Sequence, residues 1–309
     1  MLVRSFSSET GYVSLEIQGS GTKAGVAALL GIVAMKLVMT LLVRDEEDIL
    51  RDNLDFHLAQ GVDEVIVTDN GSEDRTVEIL REYEAGGVAR LLLEPTDDYS
   101  QWRWVTRMAR MAADGGADWV INNDADEFWW PRKGSLKSTL EGLGDEIGMV
   151  LAYRTNFVPR PEDGRPFWER MTLRQRESLN PLGKAMPPKV AHRAHPAVTV
   201  AQGNHKVEGV DLGERLDDGS IEILHFPMRT YAQFENKIVK GGRAYLRNRE
   251  LPQSRGRTWR RLYETWEGGG LRAHYDQNVA AEEASEGLIE DTRLRDFLRE
   301  QRPRVPAGD

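Results

Sequence analysis

Cysteine is absent from the 309-residue sequence. Without thiols the chain can form no disulfide, no thiolate nucleophile and no zinc site that depends on cysteine ligands. Disulfides belong mainly to secreted proteins, and thiol-free chains are common in reducing compartments. The absence therefore fits a cytoplasmic location, which we predict.

Long apolar segments are also scarce. The one membrane-like stretch is Ala24–Val43, and Lys36 interrupts it. Its unbroken part, the twelve residues Ala24–Met35, is too short to span a bilayer. A signal peptide is the alternative, because Lys23 precedes a short apolar core, but no small-residue cleavage pattern follows. We predict no stable membrane span and interpret residues 1–34 as a poorly patterned N-terminal extension.

Positive charge is not in excess. The formal net charge of −9 gives the molecule an overall field that does not attract a phosphate backbone, which argues against nucleic acid as the main partner. Hydrophobic residues make up 40% and charged residues 29% of the chain, as in ordinary globular proteins. The length allows one large domain or two modest ones.

Strand-like and helix-like segments alternate in the first half. The predicted elements are strands at Lys36–Val43, Val62–Thr68, Ala89–Leu93 and Asp118–Asn122 and helices at Glu46–Gln60, Asp74–Glu84 and Gln101–Ala113. Strands separated by helices of this length predict parallel βαβ units. Ligands of such sheets bind beyond the carboxyl ends of the strands, where Arg44, Asp69 and Asp124 fall.

The alternation is lost after about residue 135. Segment 153–190 mixes proline, arginine and tryptophan irregularly, and we predict long loops or a lid there. The later predictions are short strands at Ala197–Ala201 and Ile221–His225, helices at Thr230–Lys240 and Arg257–Glu267, and a packed surface helix within 280–300.

An apolar run ends in two carboxylates, Asp124 and Asp126. Side chains two residues apart in an extended backbone point to the same side, so both can reach one cation. A divalent ion held by one or two carboxylates, with substrate phosphate completing its shell, is typical of nucleotide-handling enzymes. The alternative is a strand that ends in a solvated acidic turn.

Three segments carry a family resemblance. They are Thr40–Glu47, Val67–Thr76 and Asp124–Phe128, and together they resemble family-2-type glycosyltransferases of the GT-A fold, in the branch with Asp-Ala-Asp-Glu-Phe. The resemblance implies the α/β class, with a Rossmann-like, mostly parallel sheet flanked by helices. Residues 35–135 would form the nucleotide-sugar-binding half, and residues 136–309 an irregular acceptor-side half with lid loops and C-terminal helices.

The resemblance also implies an activity. It indicates a hexosyl- or similar transferase whose donor is a UDP- or GDP-sugar, with Mn²⁺ or Mg²⁺ bridging the phosphates to Asp124 and Asp126. Such a metal stabilises the departing diphosphate without proton transfer. His225 ends a predicted strand, where the family often supplies a third ligand, and imidazole suits manganese. A histidine hydrogen-bonded in the core is the alternative.

The nucleotide contacts also follow from the resemblance. Asp69 would accept a hydrogen bond from the ring N–H of the base, with Asn70 in the same turn, and Arg44 and Glu46 would line the nucleoside pocket. Two further residues, Asp74 and Arg107, have two interpretations. Asp74 either contacts the nucleotide or only stabilises the first turn of a helix. Arg107 either reaches the phosphates or lies on a solvated helix face.

An inverting transferase needs a base for the acceptor hydroxyl. The family usually places a carboxylate shortly before the late histidine, and no clean acidic pair stands there. The candidates, in order, are Glu208, His205 and Asp211. Trp130 and Trp168 could stack on the acceptor sugar, although core packing explains most tryptophans. We expect a saccharide or small molecule as acceptor rather than nucleic acid.

Two other functions compete with this one. A haloacid-dehalogenase-like phosphohydrolase also places Asp-x-Asp after a strand, but normally after the first core strand, whereas here it follows the fourth. A non-catalytic glycosyltransferase-like binding protein is the other alternative, because the usual base motif is missing.

Overall fold

The structure is a computed structural model. It describes residues 34–96, 100–179, 184–249, 252, 256–279 and 287–301, together with two short strands near the start. The chain divides into two compact units, Met1–Met35 and Lys36–Asp309. In the first unit, β1 (Leu2–Ser7) pairs antiparallel with β2 (Val13–Gln18). Most of the apolar segment predicted at Ala24–Met35, residues 24–33, lies outside the described residues. No described helix is both long and apolar enough to cross a membrane.

The second unit begins with the predicted alternation. Its elements are β3 (Leu37–Val43), α1 (Leu50–Ala59), β4 (Glu64–Asp69), α2 (Thr76–Ala85), β5 (Ala89–Leu93), α3 (Gln101–Asp114) and β6 (Trp119–Asp124). The four strands are parallel and lie in the order β5-β4-β3-β6. The carboxyl ends of β3, β4 and β6 therefore share one edge, with Val43 opposite Asp69 and Leu42 opposite Asp124.

The second half of the chain extends the same sheet. Its elements are β7 (Glu127–Pro131), α4 (Leu136–Glu141), β8 (Ile147–Asn156), α5 (Phe167–Arg170), β9 (Leu173–Gln175), β10 (Lys189–Arg193), β11 (Thr199–Val200), β12 (Val207–Glu208), β13 (Glu214–Leu216), β14 (Ile221–His225), α6 (Tyr231–Arg247), α7 (Arg257–Glu267), α8 (Leu271–Asn278), β15 (Leu288–Glu290) and α9 (Arg293–Gln301). From β6 the strand order continues β10-β8-β14-β7, with β13 beside β8. Strand β10 runs antiparallel to both of its neighbours.

Two of the later predictions have the bounds found in the structure, Ile221–His225 and Arg257–Glu267. The helix predicted at Thr230–Lys240 continues to Arg247, and the strand predicted at Ala197–Ala201 shrinks to two residues. Segment 153–190 was predicted as loops, yet it contains the end of β8, α5, β9 and the start of β10. Within 280–300 the described part holds β15 and α9 instead of one helix.

Apolar contacts on both faces of the sheet explain why its strands are continuous hydrophobic runs. Val38, Ile66 and Val120 pack on one face in a cluster with Val105 and Met108 of α3, and all five are buried. Each such side chain stabilises the fold by about 2 kcal/mol relative to exposure.

A second cluster joins α6, α7 and α8. It contains Phe234, Ile238, Leu262, Tyr263, Leu271 and Tyr275. Two glycines let α6 approach α7 closely. A Cβ on Gly241 would lie 2.5 Å from Trp259 Cε3, and one on Gly242 would lie 2.5 Å from Tyr263 Cβ. This contact sets the distance between α6 and α7. It therefore also sets the position of the lysine side chains that α6 carries.

Candidate active site

A cleft of about 910 Å³ opens at the shared strand edge. Its donor side is formed by the residues that follow β3 and β6, including Arg44, Asp124 and Asp126. Helix α6 forms the facing wall with Asn236, Lys237, Ile238 and Lys240. Further lining comes from the end of β14, the segment before β10, the turn with His205, and helices α7 and α8. The cleft thus lies where the predicted ligand-binding edge of a parallel sheet should be.

Buried amides hold the turn between β6 and β7. Asn53 on α1 donates to the carbonyl oxygens of Ala125 at 3.0 Å and Glu127 at 2.8 Å. Asn123 donates to Asn53 Oδ1 at 3.1 Å, and Trp129 Nε1 donates to Asn123 Oδ1 at 3.0 Å. A buried amide that loses a hydrogen-bond partner is costly, because water cannot replace that partner. This network therefore fixes the backbone that carries the carboxylates.

Three ligand-type side chains converge at this turn. Oxygens of Asp126 and Glu127 and a ring nitrogen of His225 lie within 4.8 Å of one another. Strand pairing causes the convergence, because His225 on β14 stands opposite Glu127 on β7 and beside Asn156 on β8. His225 Nδ1 is 2.7 Å from the amide oxygen of Asn156 and carries the proton of that hydrogen bond. The other ring nitrogen, Nε2, faces Asp126, 3.5 Å away.

Two of the three predicted metal ligands, Asp126 and His225, are members of this group. The third, Asp124, is engaged instead by Lys189, whose Nζ lies 2.5 Å from its Oδ2. Glu127 was missed by the sequence analysis. Both of its carboxylate oxygens are buried without a hydrogen bond within the described residues, although Lys189 Nζ is 3.3 Å from Oε1. Two carboxylates and a neutral imidazole form a donor set that fits Mn²⁺.

Burial and neighbouring charges shift these groups in different directions. Burial opposes ionisation of Asp126, but Lys237 and His225 hold the pKa of its carboxyl well below the usual range. For Glu127 burial prevails over Lys189 and raises the pKa to about 7. Burial lowers the pKa of His225, and Asp126 offsets this in part. His225 is therefore neutral at neutral pH, as a metal ligand must be.

Lysines from two elements face the acidic edge. Lys189, at the start of β10, has a fully buried side chain. Lys237 and Lys240 come from α6, with Lys237 Nζ 2.5 Å from Asp126 Oδ2 and Lys240 Nζ 2.6 Å from Asp45 Oδ2. Asp45 adopts a left-handed backbone with φ +53°, which aspartate tolerates better than most residues. The sequence analysis predicted none of these lysines, because isolated lysines usually indicate a solvated face.

The predicted Asp69 ends β4 at the same strand edge but is not among the described residues that line the cleft. Its Oδ2 accepts from the backbone N–H groups of Gly71 and Ser72, both at 3.1 Å. Its Oδ1 is buried and makes no hydrogen bond with any described residue. Asn70 lines the cleft while its side chain donates to backbone carbonyls after β5. An unsatisfied buried acceptor at this position is suited to a ligand N–H.

Arg44 and Glu46, both predicted for the nucleoside pocket, line the cleft as well. The carboxylate of Glu46 is held by the buried guanidinium of Arg229, which also donates to Asp48 at 2.7 Å. Arg229 stands between β14 and α6, so this ion pair connects the end of β3 to the acceptor-side half.

The other two predicted nucleotide contacts lie away from the cleft. Asp74 accepts from the backbone N–H of Thr76 at 2.9 Å and of Glu47 at 3.1 Å, which places it at the start of α2. Arg107 is on the exposed face of α3 with its Nη1 3.4 Å from Glu94 Oε2. At both positions the structure favours the second of the two interpretations.

Of the three base candidates, His205 alone lines the cleft. Its Nδ1 is 3.0 Å from the carbonyl oxygen of Pro188, and burial together with Lys189 lowers its pKa to about 3. Glu208, the first candidate, is exposed on β12 and paired with Lys206. Asp211 is also exposed and accepts from the backbone of Gly213 at 3.0 Å. The short strand β12 directs this region away from the metal-ligand group.

Neither predicted acceptor tryptophan lines the cleft. Trp130 stacks on Phe56 with ring centroids 5.6 Å apart, and the guanidinium of Arg293 covers it. Trp168 is buried and donates from Nε1 to Asp52 at 3.0 Å. Core packing therefore explains both. The aromatic residues that do line the cleft come from α6 and α7, namely Phe234, Tyr245 and Trp259.

The sequence model of glycosyl transferase family 2 matches residues 41–189, a little under half of the chain. The matched segment runs from β3 to the first residue of β10 and includes Asp69, Asp124 and Asp126. The chain carries a glycosyltransferase-type domain over these residues, which confirms the predicted enzyme class. The sheet order and this match together confirm the predicted α/β class and GT-A fold. A comparison with curated protein sequences finds no significant match.

Three solved structures of low identity match this chain. S. aureus TarS 1–349 in complex with UDP-GlcNAc is 13% identical with a TM-score of 0.42, over 80% of this chain and 77% of that one. GalNAc-T7 with UDP, GalNAc and Mn²⁺ is 12% identical with a TM-score of 0.38, over 86% and 55%. Glucosyl-3-phosphoglycerate synthase from Mycobacterium tuberculosis, in complex with Mn²⁺, UDP and glucosyl-3-phosphoglycerate, is 22% identical with a TM-score of 0.27, over 45% of this chain and 50% of that one.

Proposed function

We propose that the protein transfers a sugar from a UDP- or GDP-sugar to an acceptor hydroxyl with a divalent metal ion, and with inversion at the anomeric carbon. The observation that carries the proposal is the convergence of Asp126, Glu127 and His225 in one cleft at the strand edge. A buried acceptor with no partner among the described residues, Asp69 Oδ1, lies at the end of a strand on the same edge. Negatively charged side chains for a metal ion and a hydrogen-bond acceptor for a nucleobase therefore occur at the same edge of the sheet.

The donor's contacts follow from this arrangement. Asp126, Glu127 and His225 would hold Mn²⁺ or Mg²⁺, and the imidazole favours Mn²⁺. When bound, the metal supplies positive charge that stabilises the departing diphosphate. Asp69 accepts from the ring N–H of the base, and Arg44 and Asn70 line the nucleoside pocket. Asp124 and Lys189 both line the cleft, and Asp124 contacts the sugar-nucleotide donor there.

The acceptor is deprotonated from the other side of the cleft. His205 is the proposed base, because it is neutral and is the one base candidate that lines the cleft. Its Nδ1 is engaged by Pro188, which leaves Nε2 to take the proton. The low resting pKa makes it a weak base, and the negative charge of a bound donor raises that pKa. Leu179, Met186 and Pro187 line the cleft nearby, so segment 153–190 contributes to the choice of a saccharide or small-molecule acceptor.

The test is a thermal-shift series followed by a turnover assay. UDP, GDP and their sugars, each with and without Mn²⁺, should raise the melting temperature only for the correct base and metal, because ligands that bind the native state stabilise it. Asp126→Asn should then lower donor turnover by about 100- to 1000-fold. Asp145→Asn is the matched control, because that carboxylate is fully exposed outside the cleft. Equal turnover in both variants would refute the proposal.

His205→Gln separates the base from the metal site. Donor and Mn²⁺ binding should persist while transfer falls by about 100-fold, in the range of general-base losses. If transfer is unchanged, His205 is not the base.

A further inference from the structure

We infer that the Lys237 ammonium is the cation that neutralises Asp126 when no metal ion is bound. When a divalent ion binds, the ammonium leaves the Asp126 carboxylate and contacts the diphosphate of the donor. The inference rests on the proposed function. It assigns a role to a residue that no part of the sequence pattern singled out.

The ammonium occupies the position of a counter-ion. Lys237 Nζ is 2.5 Å from Asp126 Oδ2 and 3.7 Å from Glu46 Oε1. The same Asp126 oxygen is also the one that faces His225. Because a divalent ion held by Asp126 and His225 needs this carboxylate, ion and ammonium compete for it. Two cations in contact with the same buried carboxylate repel each other strongly.

The two lysines of the site differ in how far they can move. The Lys189 side chain is 1% exposed, belongs to a central strand and lies between Asp124 and Glu127. The Lys237 side chain is 24% exposed and lines the open cleft from α6. An ammonium on a flexible four-carbon stem can move within the cleft while the helix stays in place. Lys237 is therefore the exchangeable cation and Lys189 the fixed one.

The ammonium of Lys237 can bind the diphosphate after it has left Asp126. Phe234 and Ile238 anchor α6 in its apolar cluster, so Lys237 stays beside the cleft after it leaves Asp126. A diphosphate bound there offers charged oxygens, and hydrogen bonds between ionised partners are the strong ones. Lys240, one helical turn further on, is held by Asp45 and Glu73 and does not contact Asp126 in the described structure. It provides a matched control on the same helix.

Mn²⁺ binding without nucleotide tests the exchange directly. Free Mn²⁺ is measured by electron paramagnetic resonance in titrations of wild type, Lys237→Gln, Lys237→Arg and Lys240→Gln at neutral pH. Removal of the competing charge should tighten Mn²⁺ binding by about tenfold in Lys237→Gln, within the usual range of coupling between ligands. Lys240→Gln should change it by less than about threefold, and Lys237→Arg, which keeps the charge, should not tighten it.

Nucleotide binding tests the second half. With Mn²⁺ saturating, Lys237→Gln should bind UDP or GDP about tenfold more weakly by calorimetry, since one charged phosphate contact is lost. Thermal melts establish that each variant is folded.

The outcomes separate this inference from the proposed function. A folded Lys237→Gln whose Mn²⁺ affinity is unchanged or weaker overturns the exchange, even if the enzyme transfers sugar. Absence of Mn²⁺ binding in both wild type and Lys237→Gln overturns it too, while nucleotide binding would still support the donor site. Tighter Mn²⁺ binding with no nucleotide binding supports the exchange and refutes the transferase.

Discussion

The two halves of the sheet are built by different rules. From β3 to β5 each strand pairs with the next strand along the chain across one helix, and β6 returns to pair with β3, so apolar runs and turns in the sequence mark these elements directly. From β7 onward, pairing joins strands that are far apart in the chain, such as β10 inserted between β6 and β8. The group formed by Asp126, Glu127 and His225 lies where the two halves meet, because Asp126 follows β6 and His225 ends β14. Its assembly depends on long-range pairing that a local pattern does not reveal.

Arg229 provides the strongest test of that junction. Its buried guanidinium binds Glu46 and Asp48 of the first half from the segment before α6. Arg229→Met would leave these carboxylates without their partner, and we expect a loss of about 3–5 kcal/mol in the free energy of unfolding, measured with urea. Arg272→Met removes an exposed i, i+4 pair with Asp276 and should cost less than about 1 kcal/mol. Similar losses in both variants would show that the junction is not held by this ion pair.

Two buried histidines, one in each half of the chain, test whether the two halves unfold together. His57 on α1 and His192 on β10 each have a pKa lowered to about 4 by burial. An unfolded histidine titrates near 6.5, so the unfolded chain binds more protons between these values, and stability falls as pH drops from about 6.5 towards 4. Each histidine should contribute a loss of about 2–3 kcal/mol over that window.

The measurement is the urea unfolding free energy at pH 7 and pH 4.5. His57→Gln and His192→Gln should each flatten the pH dependence by a similar amount if the halves unfold as one unit. An effect in one variant alone would indicate that the halves unfold independently.

Asn53→Ala should give the smallest change and the most local one. It removes two hydrogen bonds to the carbonyls of Ala125 and Glu127, which costs about 1–3 kcal/mol of stability. Mn²⁺ affinity should also fall by about 10- to 100-fold, as for other residues that orient ligands. Asn278→Ala loses one bond to the carbonyl oxygen of His274 at the half-buried end of α8 and serves as the control for the stability measurement. An unchanged Mn²⁺ affinity in Asn53→Ala would mean that the turn is held without it.

The sequence predicted the donor half well for a physical reason. Strands buried on both faces must be apolar throughout, and the helices between them begin and end at recognisable residues. Asp124, Asp126 and Asp69 stand at strand ends, so the sheet rule alone places them at one edge. His225 was also identified, because the strand that it ends has an unbroken apolar pattern.

The rest of the site has weaker signals. Glu127 starts β7, and the apolar run Phe128-Trp129-Trp130 that follows it was the one clue that it is buried. Lys189, Lys237 and Arg229 look like solvated charges in the sequence, since only tertiary pairing gives them buried partners. The preference for Glu208 as base depended on proximity in sequence, whereas β12 carries it to the surface. The opposite holds for Trp130 and Trp168, which the sequence suggested as acceptor-binding residues but which pack against other side chains of the protein.

The glycine contacts of α6 give the molecule an unusual mechanical property. Any side chain at residue 241 or 242 must push α6 away from the rings of Trp259 and Tyr263. The lysines that face the acidic edge would be displaced with the helix, although no charge or ligand had been altered. A neutral methyl group at residue 241 or 242 could therefore change how tightly the site holds cations.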